Sequence, residues 1–179
     1  MEIPVMFGEV ILVDATDTPL GRCEKLAAHR TGVLHRAFSV FLFDSEGRWL
    51  LQRRHPDKYH SGGLWTNTCC SHPQPGQETG EAARIRLLQE MGVETPIRPL
   101  FQFFYQAHFD NGLIEHELDH VFVGSFDGTP CPNPAEVCDW RWVESALLMK
   151  EMATHPEHFT VWFREAASRV LGHMESKAV

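Results

Sequence analysis

Two strongly β-forming runs on either side of Asp110-Asn111-Gly112 restrict this chain more than any other feature. PLFQFFYQAHF and LIEHELDHVFVGSF are rich in aromatic and branched residues, and the DNG between them is a hairpin turn signal. In the second run, alternation sends Glu115 and Glu117 to one face and His116 to the other. The flanking FQFFYQ and VFVGSF are apolar enough for a central strand. Two carboxylates on such a strand need a cation between them, and a metal ion supplies it. A solvated strand edge is the plainer alternative.

The remaining segments supply partners for this hairpin. EVILVD, Glu9 to Asp14, reads as a strand, and RAFSVFLFD–SEGR–WLLQRR reads as a first hairpin. HPDKYHSGG, residues 55–63, is a loop punctuated by paired glycines. TGEAARIRLLQEMGV predicts a helix with Thr79 as its cap, Glu81 in its first turn and Gly92 as its left-handed end. Ala83, Leu87 and Met91 form a stripe that can face a sheet. DGTPCPNPAE reads as a surface loop and VCDWRWV as a further strand, with helices expected around Ser145–Met152 and Glu157–Met174. This mixture predicts an α/β layered fold with helices covering a mixed sheet. At 179 residues, with no repeat or long linker, one domain spanning 1–179 is expected.

Charge narrows the choice of partners. The chain has 16 Lys and Arg against 24 Asp and Glu, a net −8, whereas nucleic-acid or anionic-membrane binding needs a basic face. An anionic substrate must therefore be held by a few local cations or by metal ions. No window approaches ~18 consecutive apolar residues, so no membrane span is expected. MEIPVMFGEV lacks the basic start and apolar length of a signal peptide. Five cysteines without CxxC spacing suggest reduced thiols and a cytoplasmic protein.

In WTNTCCSHP, an extended backbone puts Cys70 and His72 on one face and Cys69 on the other. Both thiols being small buried hydrophobes is the plainer reading, more so for Cys69. His29 and His35 stand in AAHRTGVLHRAF; each alone is more often a surface or capped histidine than a ligand. Together, His29, His35, His72, Glu115 and Glu117 would form a three-imidazole, two-carboxylate set for one divalent ion. Five or six ligands suit Mn²⁺ or Mg²⁺ better than tetrahedral Zn²⁺, which remains a further option. Lys25, Arg53, Arg54, Lys58, Arg84 and Arg86 are the cations available to a phosphate, with solvated surface charge as the alternative for each. Glu90 is either a surface residue or a ligand for a second metal.

CEKLAAH, LHRAFSVFLFD, RRHPDKYHSGGLWTNTCCSHP, RLLQEMGV, YQAHFDNGLIEHELDHVF and FTVWFREA, in this order, resemble the type I isopentenyl-diphosphate Δ-isomerases. The resemblance covers most of the chain. It implies a Nudix-type α/β/α sandwich around a mixed sheet, and reversible conversion of isopentenyl to dimethylallyl diphosphate by proton transfers at different carbons. It implies Cys70 and Glu117 as the catalytic pair, with Tyr105 hydrogen-bonded to the catalytic glutamate. The ligands it implies are His29, His35, His72, Glu115 and Glu117, with Glu90 serving a Mg²⁺ on the diphosphate. Lys25, Arg54, Lys58 and Arg86 match diphosphate-contacting positions. Trp162 matches an aromatic facing the hydrocarbon, where an indole face can stabilise a carbocation and shield it from water.

The chain departs from the general Nudix box, G-x5-E-x7-R-E-U-x-E-E-x-G-U. Aligned on Gly92, it has Ser71, Gln77, Ile85, Arg86 and Gln89 at five of the seven Gly, Glu and Arg positions of the box, and of these only Glu90 and Gly92 stand. The carboxylate cluster that binds metals and activates water in a hydrolase is thus missing. This favours isomerisation over the alternative, hydrolysis of a nucleoside diphosphate derivative. The expected partner is a small isoprenoid diphosphate, with no organic cofactor, no nucleic acid and no membrane, and the expected state is a monomer or weak homo-oligomer.

Overall fold

The computed structural model describes residues 8–176, so the first seven residues of the N-terminal stretch read above lie outside it. Nine strands form one mixed sheet: β1 (Glu9–Val13), β2 (Pro19–Glu24), β3 (His35–Phe43), β4 (Trp49–Arg54), β5 (Trp65–Thr66), β6 (Cys69–Ser71), β7 (Ile97–His108), β8 (Ile114–Ser125) and β9 (Val137–Val143). The helices are α1 (Lys25–Thr31), α2 (Thr79–Met91), α3 (Ser145–Thr154) and α4 (Val161–Glu175), with a 3-10 turn at Pro156–His158. The late helical stretch expected from Glu157 is therefore divided: a short turn, then a helix four residues later.

The β7–β8 hairpin is the longest pairing, antiparallel from Ile97↔Gly124 to His108↔Ile114, with Gly112 at φ 81° in its turn. β8 then pairs in parallel with all of β3, from His35↔Glu117 to Phe43↔Ser125. The other edge of β3 is shared in succession by β1 at His35, β6 at Phe38–Val40 and β4 at Leu42–Phe43. The expected β3–β4 hairpin is thus only two residue pairs long, because β6 takes the edge that a longer hairpin would use.

Alternation gives the sheet two apolar faces. Phe38, Val40, Leu42, Cys69 and Phe122 pack with Ala82, Ala83, Leu87 and Met91 of α2. Phe41, Trp49, Phe103, Val121 and Val123 pack with Leu148 of α3 and with Phe163, Ala167 and Val170 of α4. The result is an α/β/α sandwich. The stripe expected on α2 faces the sheet, and Gly92 closes the helix at φ 62°. Its cap differs from expectation: Glu78, not Thr79, is the N-cap, accepting from the amides of Gly80 and Glu81 at 2.9 and 2.7 Å. A glutamate one residue earlier reaches both amides, and Thr79 is buried within the first turn instead.

Candidate active site

The second face of the sheet changes character along β8. Val121 and Val123 sit in the core, whereas Asp119, Glu117 and Glu115 continue the same face as buried acids. β3 mirrors this, with Phe41 in the core and His35 fully buried beside Glu117, Nε2 to Oε1 3.5 Å. The polar end of this face is the floor of the site.

Histidines converge on it from three elements. In α1, capped by Glu24 and ended by left-handed Gly32, His29 Nδ1–H donates to Lys25 O at 2.6 Å. His35 Nδ1–H donates to Val33 O at 2.9 Å. A carbonyl only accepts, so each proton sits on Nδ1 and each Nε2 lone pair is turned inward. Both Nε2 atoms are buried without a hydrogen-bond partner. His72, following β6, places Nε2 2.8 Å from Glu117 Oε1. The ligating atoms of His29, His35, His72 and Glu117 all lie within 4.8 Å of one another. Glu115 joins through His29 in a second such group, whose third member is His60. Orphaned, pre-oriented imidazole nitrogens beside buried carboxylates are a donor set that fits a divalent cation.

Charges in this cluster are pushed apart. Burial drives His29 down to about 4 and His72 down to about 3, so both imidazoles are neutral at neutral pH. Burial also opposes protonation of His35, but the adjacent Glu117 carboxylate outweighs it and raises this histidine. Glu117 resists burial through His72 and His35 and is held well below the usual carboxylate range. Burial and the Glu117 charge push Glu115 the other way.

Alternation at the two cysteines is as expected. Cys69 is fully buried against α2, while Cys70 faces the opposite layer and lines the site cavity. Burial pushes the Cys70 thiol up to about 12, with Arg54 pulling the other way, and Arg54 Nη1 lies 3.9 Å from its sulfur. The segment is held by Asn67, a residue the sequence reading did not single out. Its amide donates to Val40 O at 3.2 Å and Cys69 O at 2.7 Å, and its oxygen accepts from Thr66 Oγ1 and Trp162 Nε1. One buried amide thus fixes both the cysteine strand and the indole wall. Trp162 is 4% exposed and also lines the cavity, with the Arg54 guanidinium 5.1 Å from its ring centre.

Tyr105 corrects an expectation. It is opposite Glu117 in the β7–β8 register, yet its hydroxyl donates to Glu115 Oε2, while Glu117 pairs with His72. His60 is the other residue the sequence reading missed. It sits in the loop between β4 and β5, and its Nε2 lies 2.8 Å from Glu115 Oε1.

The cavity, about 70 Å³, continues past Lys25, Lys58, His72 and Arg86 into a surface depression of about 470 Å³. Burial lowers Lys25 against the pull of Glu117. Arg86 and Lys58 are drawn to carboxylates here: Arg86 to Glu90 at 2.5 Å, and Lys58 to Glu136. Glu90 is 5% exposed and also accepts from Gln52 Nε2 at 3.0 Å. A buried carboxylate beside basic side chains suits Mg²⁺, which keeps waters and shares its remaining positions with phosphate oxygens. Arg53 and Arg84 do not line either cavity.

The NUDIX domain family matches residues 33–163. An isopentenyl-diphosphate Delta-isomerase of Burkholderia multivorans is 55% identical, over 88% of this chain and 90% of that protein. An isopentenyl-diphosphate Delta-isomerase 2 of Aromatoleum aromaticum is 51% identical, over 93% and 88%. Among solved structures, DR0079 from Deinococcus radiodurans superposes with a TM-score of 0.76 at 23% identity, over 90% of this chain and 98% of that one. The last likeness concerns the fold alone, and it agrees with the sandwich described above. The chain belongs to the NUDIX domain family and, within it, to the isopentenyl-diphosphate Delta-isomerases.

Proposed function

We propose that the protein interconverts isopentenyl and dimethylallyl diphosphate, with Cys70 and Glu117 carrying the two proton transfers. One observation carries this reading: Cys70, Glu117 and Trp162 line a single buried cavity whose mouth is cationic. One group of the pair delivers a proton to the terminal alkene carbon, and the other removes a proton from C2. Each forward step leaves the donor deprotonated and the acceptor protonated, and proton exchange with solvent restores both before the next turnover. Trp162 faces the hydrocarbon, excludes water and stabilises the positive charge that protonation creates. Tyr105 steadies the neighbouring carboxylate, Glu115.

Lys25, Arg54, Lys58 and Arg86 take the diphosphate, for which Lys58 and Arg86 exchange their present carboxylate partners. His29, His35, His72, Glu115 and Glu117 hold one divalent ion, Mn²⁺ or Mg²⁺, and Glu90 serves a Mg²⁺ on the diphosphate. When bound, these ions supply positive charge that offsets the paired carboxylates and the diphosphate. The substrate is a small molecule, and the five cysteines, all free thiols, accord with a reducing, cytoplasmic setting. No helix among the described residues is long and apolar enough to cross a membrane.

Incubation with isopentenyl diphosphate and Mg²⁺ in D₂O tests the reading. Deuterated dimethylallyl diphosphate is the expected product. Released phosphate would instead favour the hydrolase, and no reaction would leave a metal-binding domain without catalysis.

A further inference from the structure

We propose that His60 is a positioning residue of the metal centre, donating to Glu115 so that this carboxylate presents a fixed lone pair to the cation. The inference rests on the metal reading above. It begins with how the loop between β4 and β5 is held. The His60 carbonyl accepts from Arg54 Nη2 at 3.3 Å, and Asn111 Nδ2, from the β7–β8 turn, donates to Tyr59 O at 2.9 Å. At Gly62 a Cβ would stand 2.2 Å from Pro56 O, so the winding of the loop admits only glycine there.

This backbone aims the His60 ring inward, where it is 7% exposed. The ring stacks on Phe109 at 4.7 Å and meets Trp162 edge-on at 5.9 Å. With its plane set by these contacts, Nε2 lies 2.8 Å from Glu115 Oε1. Nδ1 faces Ser61 Oγ at 3.3 Å, whose hydroxyl can donate to it while Nε2–H points to Glu115. Tyr105 holds the other oxygen, Oε2. Both oxygens of Glu115 are therefore anchored, and each keeps a second lone pair.

The donor groups separate positioning from direct ligation. His29, His35, His72 and Glu117 are mutually within 4.8 Å, whereas His60 groups only with His29 and Glu115. His60 thus approaches the cluster through Glu115 and is not part of its four-residue heart. Hydrogen-bonding partners of ligands fix their orientation, and their loss typically weakens metal affinity 10- to 100-fold.

The test is Mn²⁺ binding, followed by the electron paramagnetic resonance of free Mn²⁺, in wild type, His60→Phe and His60→Gln. His60→Phe keeps a ring on Phe109 but has no N–H, and should bind Mn²⁺ about 10- to 100-fold more weakly. His60→Gln retains an N–H donor and should recover most of the affinity. His60→Asn, polar but too short to reach Glu115, should show the same loss and serves if the Phe variant does not fold. Electron spin-echo modulation of the bound ion should count equal numbers of imidazole nitrogens in wild type and His60→Gln. Unchanged affinity in His60→Phe, or in His60→Asn where it takes that variant's place, overturns the proposal alone, and so does one imidazole fewer in His60→Gln, which would make His60 a ligand. Wild-type protein that binds no Mn²⁺ overturns the metal reading and this proposal with it.

Discussion

His35 and Glu117 are direct partners in the parallel β3–β8 ladder, and their side chains close to 3.5 Å. Two strands distant in sequence therefore deliver the first imidazole and the proposed catalytic carboxylate to one spot through backbone register alone. Shifting either strand by one residue would turn its member of the pair to the α2 face.

A cation at this spot should stabilise the folded chain. The donor groups exist only when β3, β8, α1 and the segment after β6 are assembled, so metal binding adds to stability by mass action. The gain is about 2.7 kcal/mol when the free ion is at a hundred times its dissociation constant. Chelation should lower the melting temperature and Mn²⁺ should restore it, while Glu117→Gln should weaken the response. A melting temperature indifferent to chelator would count against the site.

Cys70→Ser keeps the shape of the proposed proton-transfer group but replaces the thiol with a much weaker acid. Turnover and deuterium incorporation should fall by at least ~10²-fold, with diphosphate binding largely kept. Cys69→Ser places a hydroxyl in the apolar layer under α2 and should cost ~1–2 kcal/mol of stability with little loss of turnover per folded molecule. The reverse pattern would show that the two faces have been assigned the wrong way round.

Asp119 makes stability depend on pH. Burial, and then the Glu117 charge, raise it from the ordinary 3.8 to about 8, although Ser39 Oγ donates to it at 2.7 Å. Between those values the folded chain keeps a proton that the unfolded chain has lost. This contribution is complete below the lower value and is lost progressively as pH rises to the upper one. In metal-free protein, urea midpoints should show Asp119→Asn gaining on wild type from pH ~5 to ~8. Parallel curves over that range would mean Asp119 is ionised throughout.

Glu78→Ala removes the acceptor for two amides at the start of α2 and should cost ~0.5–1 kcal/mol in chemical denaturation, the lower part of the range for caps because the site is exposed. An effect near zero would mean water replaces the carboxylate at no cost.

Local pattern made much of this legible. Alternation separated Cys69 from Cys70 and joined Glu115 to Glu117, and helical spacing placed Ala83, Leu87 and Met91 against the sheet. What escaped depends on distant partners. β2, PLGRCE, is an almost wholly exposed edge strand with no apolar alternation to announce it. The cap at Glu78 is a choice between two adjacent side chains that only the backbone path decides. His60 lies in a loop with no periodicity, and its direction comes from Phe109 and Asn111, some fifty residues on. Tyr105 turns to Glu115 and not to its cross-strand neighbour Glu117, which no spacing within β7 reveals.

The parallel docking of β3 on β8 also sets an order of assembly. Ser39 and Asp119, bonded across it, are 80 residues apart, so this closure is entropically costly and slow compared with the turn that joins β7 to β8. The later hairpin can form alone and leave its glutamates hydrated, since nothing yet desolvates them. β6 gains its place only on the far edge of β3. Until that edge is filled, neighbouring thiols at 69 and 70 remain open to alkylating reagents, and their protection during refolding is a clock for the completion of the sheet.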